Sequence, residues 1–168
     1  MATRRTDRTT GRRPGGEADH VAQPTTTDRV PGAAQRMFAA DTASQSLGIE
    51  LLSAEDGAAE LAMTVTAAMV NGHGIAHGGY VFLLADTAFA CACNSHGPVT
   101  VAAGADVTFV APAREGDRLR AIAMERVRFG RSGVYDVTVL RGDEVIAEFR
   151  GRSRVYPAGP APEPAGRP

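Results

Sequence analysis

The segment Tyr80–Cys93 (YVFLLADTAFACAC) is apolar on nearly every side of a helix. A helix without a polar face has to be surrounded by the rest of its own domain. Strand patterns follow it at residues 99–110, 118–129, 133–140 and 144–155. Their separators are strong turn signals: Ala111-Pro-Ala-Arg-Glu-Gly-Asp117, Gly130-Arg-Ser-Gly133 and Arg141-Gly142-Asp143. Upstream, residues 49–55 and 58–66 alternate about Asp56-Gly57, which is a hairpin signature. Residues 33–47 read as helical, stopped by Gly48, with Asp41 placed to cap a second short turn. One buried helix among antiparallel strands predicts an α+β fold: a sheet of about six strands wrapped around a central helix, plus a short N-terminal helix.

Composition narrows the chain to one domain. Eight of the 10 prolines lie before residue 32 or after residue 156. Residues 1–32 are rich in Arg, Thr, Gly and Pro with little apolar content, and residues 157–168 are mostly Pro, Ala and Gly. Such segments cannot offset their ordering entropy by burial, so disordered tails are expected on either side of a domain at 33–156. A net charge of −1 supplies no field to recruit nucleic acid or an anionic membrane, and neither partner is expected. The longest apolar run, Tyr80–Ala85, is too short to cross a bilayer. Residues 1–16 lack the hydrophobic region of a secretory signal. Cys91 and Cys93 stand two apart, which is neither a redox pair nor a zinc set, and a reducing cytoplasm is the expected setting. All 18 basic residues are Arg, which excludes a lysine Schiff base or a P-loop lysine. The lack of Trp and 5% aromatic content argue against a base-stacking platform.

Chemistry concentrates in the stretch 71–86. His73 and His77 are four apart, as in a zinc-binding helix, but Gly72, Gly74, Gly78 and Gly79 forbid a stable helix through both, so no metal is expected. The glycine spacing does not match a dinucleotide loop either, and no βαβ unit frames it. Gly78 and Gly79 fall where the central helix begins. Its first N–H groups have no internal partner, and glycine lets a carbonyl come close. Such donors suit an oxyanion formed during acyl transfer. A bland turn feeding a buried helix is the competing reading. Asp86 lies in an otherwise apolar run, where a carboxylate must be paired, neutral or functional; Thr87 is one available partner. Eight residues of helix put about 12 Å between Gly78 and Asp86. If both act on one carbonyl, Asp86 has to come from a second subunit, and a two-fold axis would create two shared sites.

The stretch Val65–Ala90, with its Asn71…His77-Gly78-Gly79…Asp86 spacing, resembles the hotdog-fold acyl-CoA thioesterases of phenylacetate degradation. The likeness extends over residues 35–156 and includes Gly133-Val-Tyr-Asp-Val137 and Phe149-Arg-Gly-Arg-Ser153. It implies hydrolysis of phenylacetyl-CoA or hydroxyphenylacetyl-CoA to the free acid and CoA. It implies no cofactor beyond the CoA of the substrate, and a homotetramer built from dimers with shared active sites. Carried over, the Gly78 N–H polarises the carbonyl and the partner's Asp86 acts as nucleophile or general base. Asn71 and His77 orient these groups. Gly79, Thr87 and Thr100 are candidate substrate contacts, Thr100 being the hydroxyl available to place water. Arg150, Arg152 and Arg154 alternate along the last strand and share one face; Arg150 and Arg152 above all are candidates for the CoA phosphates, against the reading that the three form a solvated strand face. Alternatives are a non-catalytic acyl-CoA-binding hotdog module, a thioesterase for short or medium aliphatic chains, and a hotdog dehydratase.

Overall fold

The computed structural model describes residues 32–157. The expectations for the tails therefore fall, Gly32 and Pro157 apart, outside the described residues. Two short helices open the domain: α1 (Ala33–Ala39) and α2 (Thr42–Ser46). The break between them is set by Asp41, whose carboxylate accepts from the Ser44 N–H at 3.0 Å and caps α2. The hairpin follows as β1 (Glu50–Glu55) and β2 (Ala58–Thr64). Its two-residue turn has φ of 47° at Asp56 and 79° at Gly57, the paired left-handed conformation that matches strand twist. The central helix is α3 (Gly78–Asn94), and β3 (Thr100–Phe109), β4 (Arg118–Phe129), β5 (Ser132–Arg141) and β6 (Glu144–Val155) complete the fold.

The strands form one six-stranded sheet in the order β1-β2-β4-β5-β6-β3, and every neighbouring pair is antiparallel. Irregular register in four of the five pairings bends the sheet around α3. Side chains alternate as a half-buried sheet requires. Tyr135, Val137 and Val139 of β5 point inward and meet Leu84 and Phe89 of the helix, with Leu61 and Met63 of β2 in the same core. Gly151 of β6 permits a close helix–sheet approach. A Cβ there would stand 2.7 Å from the buried Phe89 ring.

The other face of the sheet carries cross-strand ion pairs. Arg118 meets Glu50, Arg120 meets Glu60, Arg150 meets Asp136 and Arg152 meets Asp106. Each is largely exposed to solvent and screened, so their effect is on register more than on stability. Among the described residues nothing pairs with the two edge strands, β1 and β3.

Candidate active site

The glycine-rich stretch folds as a short loop hung from the start of α3. Val70 and Ala76 form a bridge, and the Asn71 N–H donates to the Ile75 carbonyl at 2.8 Å. The Asn71 side-chain oxygen accepts from the His73 N–H at 2.8 Å, closing the loop from inside. Two backbone bonds anchor it: the Ala76 N–H to the Ala113 carbonyl and the His77 N–H to the Met69 carbonyl, both 2.8 Å.

His77 is the N-cap of α3. Its Nδ1 accepts from the Gly79 N–H at 3.0 Å. With Nδ1 accepting, the ring proton in this cap is carried by Nε2. Gly79 is thereby removed as a donor to substrate. The Gly78 N–H has no partner among the described residues. Gly78 lines a cavity of about 570 Å³ together with Asn71, Ile75, Val81, Phe109 and Ile146. Among the described residues no charged side chain lines this cavity. The Phe109 ring lies so close that a Cβ on residue 78 would stand 2.8 Å from its Cζ. The first turn of α3 thus keeps one N–H without a partner among the described residues, on a residue that lines an apolar cleft at the positive end of the helix.

Asp86 lies two turns further along α3 and does not line that cavity. It is half-buried, and burial raises its pKa above the usual carboxylate range. No hydrogen-bond or ion-pair partner for it exists among the described residues. Its neighbour Thr87 faces α2, donating to the Leu83 carbonyl at 2.8 Å and lying 3.0 Å from the Ser44 hydroxyl. That network continues to Asp41, so Thr87 braces α2 against α3 and is not brought to the cavity. The expectation that α3 is enclosed on every side needs correction. Gly79, Leu83, Asp86 and Ala90, spaced by four, three and four, form a stripe that this chain leaves partly open. Asp86 is the one charge on it.

The remaining candidates lie elsewhere. Thr100 sits past the far end of α3, its hydroxyl donating to the Pro98 carbonyl and its backbone clasped by the Asn94 amide at 2.8 and 2.9 Å. Arg150 and Arg152 are neutralised by Asp136 and Asp106 on the outer face of the sheet. Cys91 and Cys93 are buried free thiols whose pKa is pushed up to about 12 by burial, so neither is a thiolate nucleophile. One cluster escapes sequence reasoning: Glu125 accepts from the Tyr135 hydroxyl at 2.8 Å and pairs with His96 Nε2 at 2.7 Å. It ties β4, β5 and the end of α3 together. Among the described residues no group of His, Cys, Asp and Glu could hold a metal, and no helix is long and apolar enough to cross a membrane.

Comparison with known proteins gives this geometry a family. Residues 73–148 match the model of the thioesterase superfamily. The chain is 44% identical to the acyl-coenzyme A thioesterase PaaI of Escherichia coli over 121 residues, which is 71% of this chain and 86% of the relative. The solved structure of the E. coli PaaI protein from the phenylacetic acid degradation operon superposes with a TM-score of 0.72 at 42% identity, covering 74% of this chain and 91% of that one. A Streptococcus mutans protein, smu.793, solved bound to acetyl CoA, superposes with a TM-score of 0.62 at 25% identity, over 64% of this chain and 88% of that one. By identity across most of both chains, and by a six-stranded sheet wrapped on one long helix, this chain belongs to the hotdog-fold acyl-CoA thioesterases of the thioesterase superfamily.

Proposed function

We propose that this chain hydrolyses the CoA thioester of phenylacetate or a ring-hydroxylated relative, releasing the acid and free CoA, from active sites shared by two subunits. The observation that carries the reading is the single open N–H of Gly78 in an uncharged cleft. The thioester carbonyl accepts from that N–H. As the carbonyl carbon becomes tetrahedral, the growing charge on its oxygen is held by the fixed donor and the helix end. The partner's Asp86 takes a proton from water whose oxygen attacks the carbonyl carbon. The C–S bond then breaks, and the proton passes to the departing CoA thiolate. Attack by the Asp86 carboxylate itself, through an anhydride that water opens, uses the same geometry. Asn71 and His77 act by holding the loop and leaving Gly78 exposed. No cofactor takes part in this reading.

Helix rise supports a shared site, because about 12 Å separates Gly78 from Asp86 of the same chain. The open β3 edge, with Val101 43% and Phe109 52% exposed, and the uncovered stripe on α3 supply a surface for a two-fold partner. A dimer of such dimers is the proposed assembly, and a reducing cytoplasm suits the two unbridged thiols.

The test is free-thiol release from a panel of acyl-CoAs. Phenylacetyl-CoA and its hydroxylated relatives should be turned over best, and carboxylated acyl groups poorly, since the cleft offers them no cation. Preference for short or medium aliphatic chains would contradict the aryl assignment. Tight binding without thiol release would point instead to a sensor module.

A further inference from the structure

Among the described residues that line the Gly78 cleft, Phe109 alone carries an aromatic ring; the others are aliphatic or small, apart from Asn71. Phe109 ends β3, opposite Ala147 of β6. Ala147 is fully buried, and directly opposed residues share a face, so Phe109 stands on the helix side of the sheet. Beyond it the chain leaves the ladder. The Val110 and Ala111 N–H groups both donate to the Ile146 carbonyl, at 2.8 and 3.2 Å. Further on, the Ala113 carbonyl accepts from the Ala76 N–H at 2.8 Å, which ties this wall to the loop before α3. The backbone that carries the ring is thus fixed from both sides, while the residue itself is 52% exposed.

The ring meets Gly78 with its far edge. The atoms nearest a Cβ on residue 78 would be Cζ, Cε1 and Cε2, at 2.8, 3.2 and 3.3 Å. Bond lengths then put Cζ within about 6 Å of the Gly78 nitrogen. A carbonyl oxygen accepting from that N–H stands about 2.9 Å from the nitrogen, and the carbonyl carbon lies about 1.2 Å from that oxygen. The groups on the carbon come within reach of the Phe109 ring. We infer that Phe109 is the residue by which this chain selects an aromatic acyl group. The assignment rests on the thioesterase reading above and names its specificity determinant. In a phenylacetyl group one methylene joins the carbonyl to the ring, which keeps the aryl group beside Phe109. Two such rings attract each other edge to face or offset, beyond the apolar area they bury. A saturated ring of the same carbon count fills the same space without that attraction, and area alone discriminates poorly between the two.

The experiment measures thiol release from phenylacetyl-CoA and cyclohexylacetyl-CoA by the unaltered protein, Phe109→Leu and Phe109→Tyr. The two thioesters match in carbon count and differ in the π face. The unaltered protein should favour the aryl thioester. Phe109→Leu keeps apolar bulk and should lower that preference, taken as the ratio of the two kcat/KM values, by about 2- to 12-fold. The loss should fall on phenylacetyl-CoA and leave cyclohexylacetyl-CoA near its original rate. Phe109→Tyr keeps the ring and should keep the ratio. An unchanged ratio in Phe109→Leu would overturn the assignment. So would an equal loss on both thioesters, which is the result of a packing defect, a disturbed assembly or contact with the pantetheine arm. Binding separates this from the catalytic reading. Ketone analogues of the two thioesters, with CH2 in place of sulfur, are titrated calorimetrically into the unaltered protein and Phe109→Leu. If the unaltered protein releases no thiol, the thioesterase reading fails and the ratio of the two Kd values decides the role of Phe109. A shift of the same 2- to 12-fold size in Phe109→Leu supports it, and an unshifted ratio overturns it.

Discussion

His77 Nδ1 takes the amide proton of Gly79, and through that one bond the first turn of α3 presents a single open donor, the N–H of Gly78. The cap therefore does two things: it satisfies one orphan group of the helix and selects which group meets substrate.

Replacing His77 separates these effects. His77→Ala should cost about 1 kcal/mol of stability through loss of the cap. It should also lower kcat roughly tenfold, because the loop holding Gly78 loses an anchor. His77→Asn keeps an acceptor at the cap and should retain the stability. Urea unfolding and thiol-release rates measure the two arms. Unfolding and turnover unchanged by His77→Ala would show the cap to be incidental.

Gly78→Ala probes the close approach. The added Cβ would meet Phe109 Cζ at 2.8 Å, but that ring is half-exposed and can swing away. A mild stability loss and a fall of roughly 10²-fold in kcat/KM are expected, because the methyl group displaces the carbonyl from the donor. Adding Phe109→Ala should restore stability and not rate. Recovery of the rate in the double variant would mean that Gly78 serves packing alone.

Asp86 carries a pH signature. Burial raises its pKa in the folded protein, so ionising it costs the fold more than the unfolded chain. The cost is absent below the unfolded pKa. It grows as pH rises toward the raised folded value and is constant above it. Asp86→Asn should thus match the unaltered protein in stability at low pH and exceed it at neutral pH. Its kcat should fall by about 10²- to 10⁴-fold, as for loss of a general base. The unaltered enzyme should gain rate as pH climbs through the same window. Thermal melts across pH and a pH–rate profile test both; an Asn variant less stable at neutral pH would contradict this account of Asp86.

Gly151→Ala tests the packing that positions α3. Its Cβ would press 2.7 Å from Phe89, a ring that is only 1% exposed and cannot move aside. A loss of about 1–3 kcal/mol is expected from overpacking. Unchanged unfolding in urea would show that β6 and α3 are less tightly apposed.

How much of this the sequence declares follows from how local each feature is. The Asp56-Gly57 turn, the Asp41 cap and the start of α3 at Gly78 depend on neighbours within four residues and are legible directly. The strand order is not, because β3 crosses over to pair with β6 and leaves its own edge open. The fate of Arg150 and Arg152 depends on cross-strand register with Asp136 and Asp106, which alternation alone does not supply. The same holds for the His96–Glu125–Tyr135 cluster, drawn from three elements. Helical spacing did announce the separation of Gly78 from Asp86. It could not announce that the sheet would leave the Gly79–Leu83–Asp86–Ala90 stripe uncovered.

The shared site is the central claim, and subunit complementation tests it most directly. Asp86→Asn and Gly78→Ala chains, each nearly inactive alone, are co-refolded in equal amounts and assayed for thiol release. In a mixed dimer one site draws Gly78 from the first chain and Asp86 from the second and is intact, while the other site carries both lesions. Random pairing should restore about a quarter of the unaltered activity. Activity no greater than the sum of the two separate variants would mean that Gly78 and Asp86 do not meet across subunits.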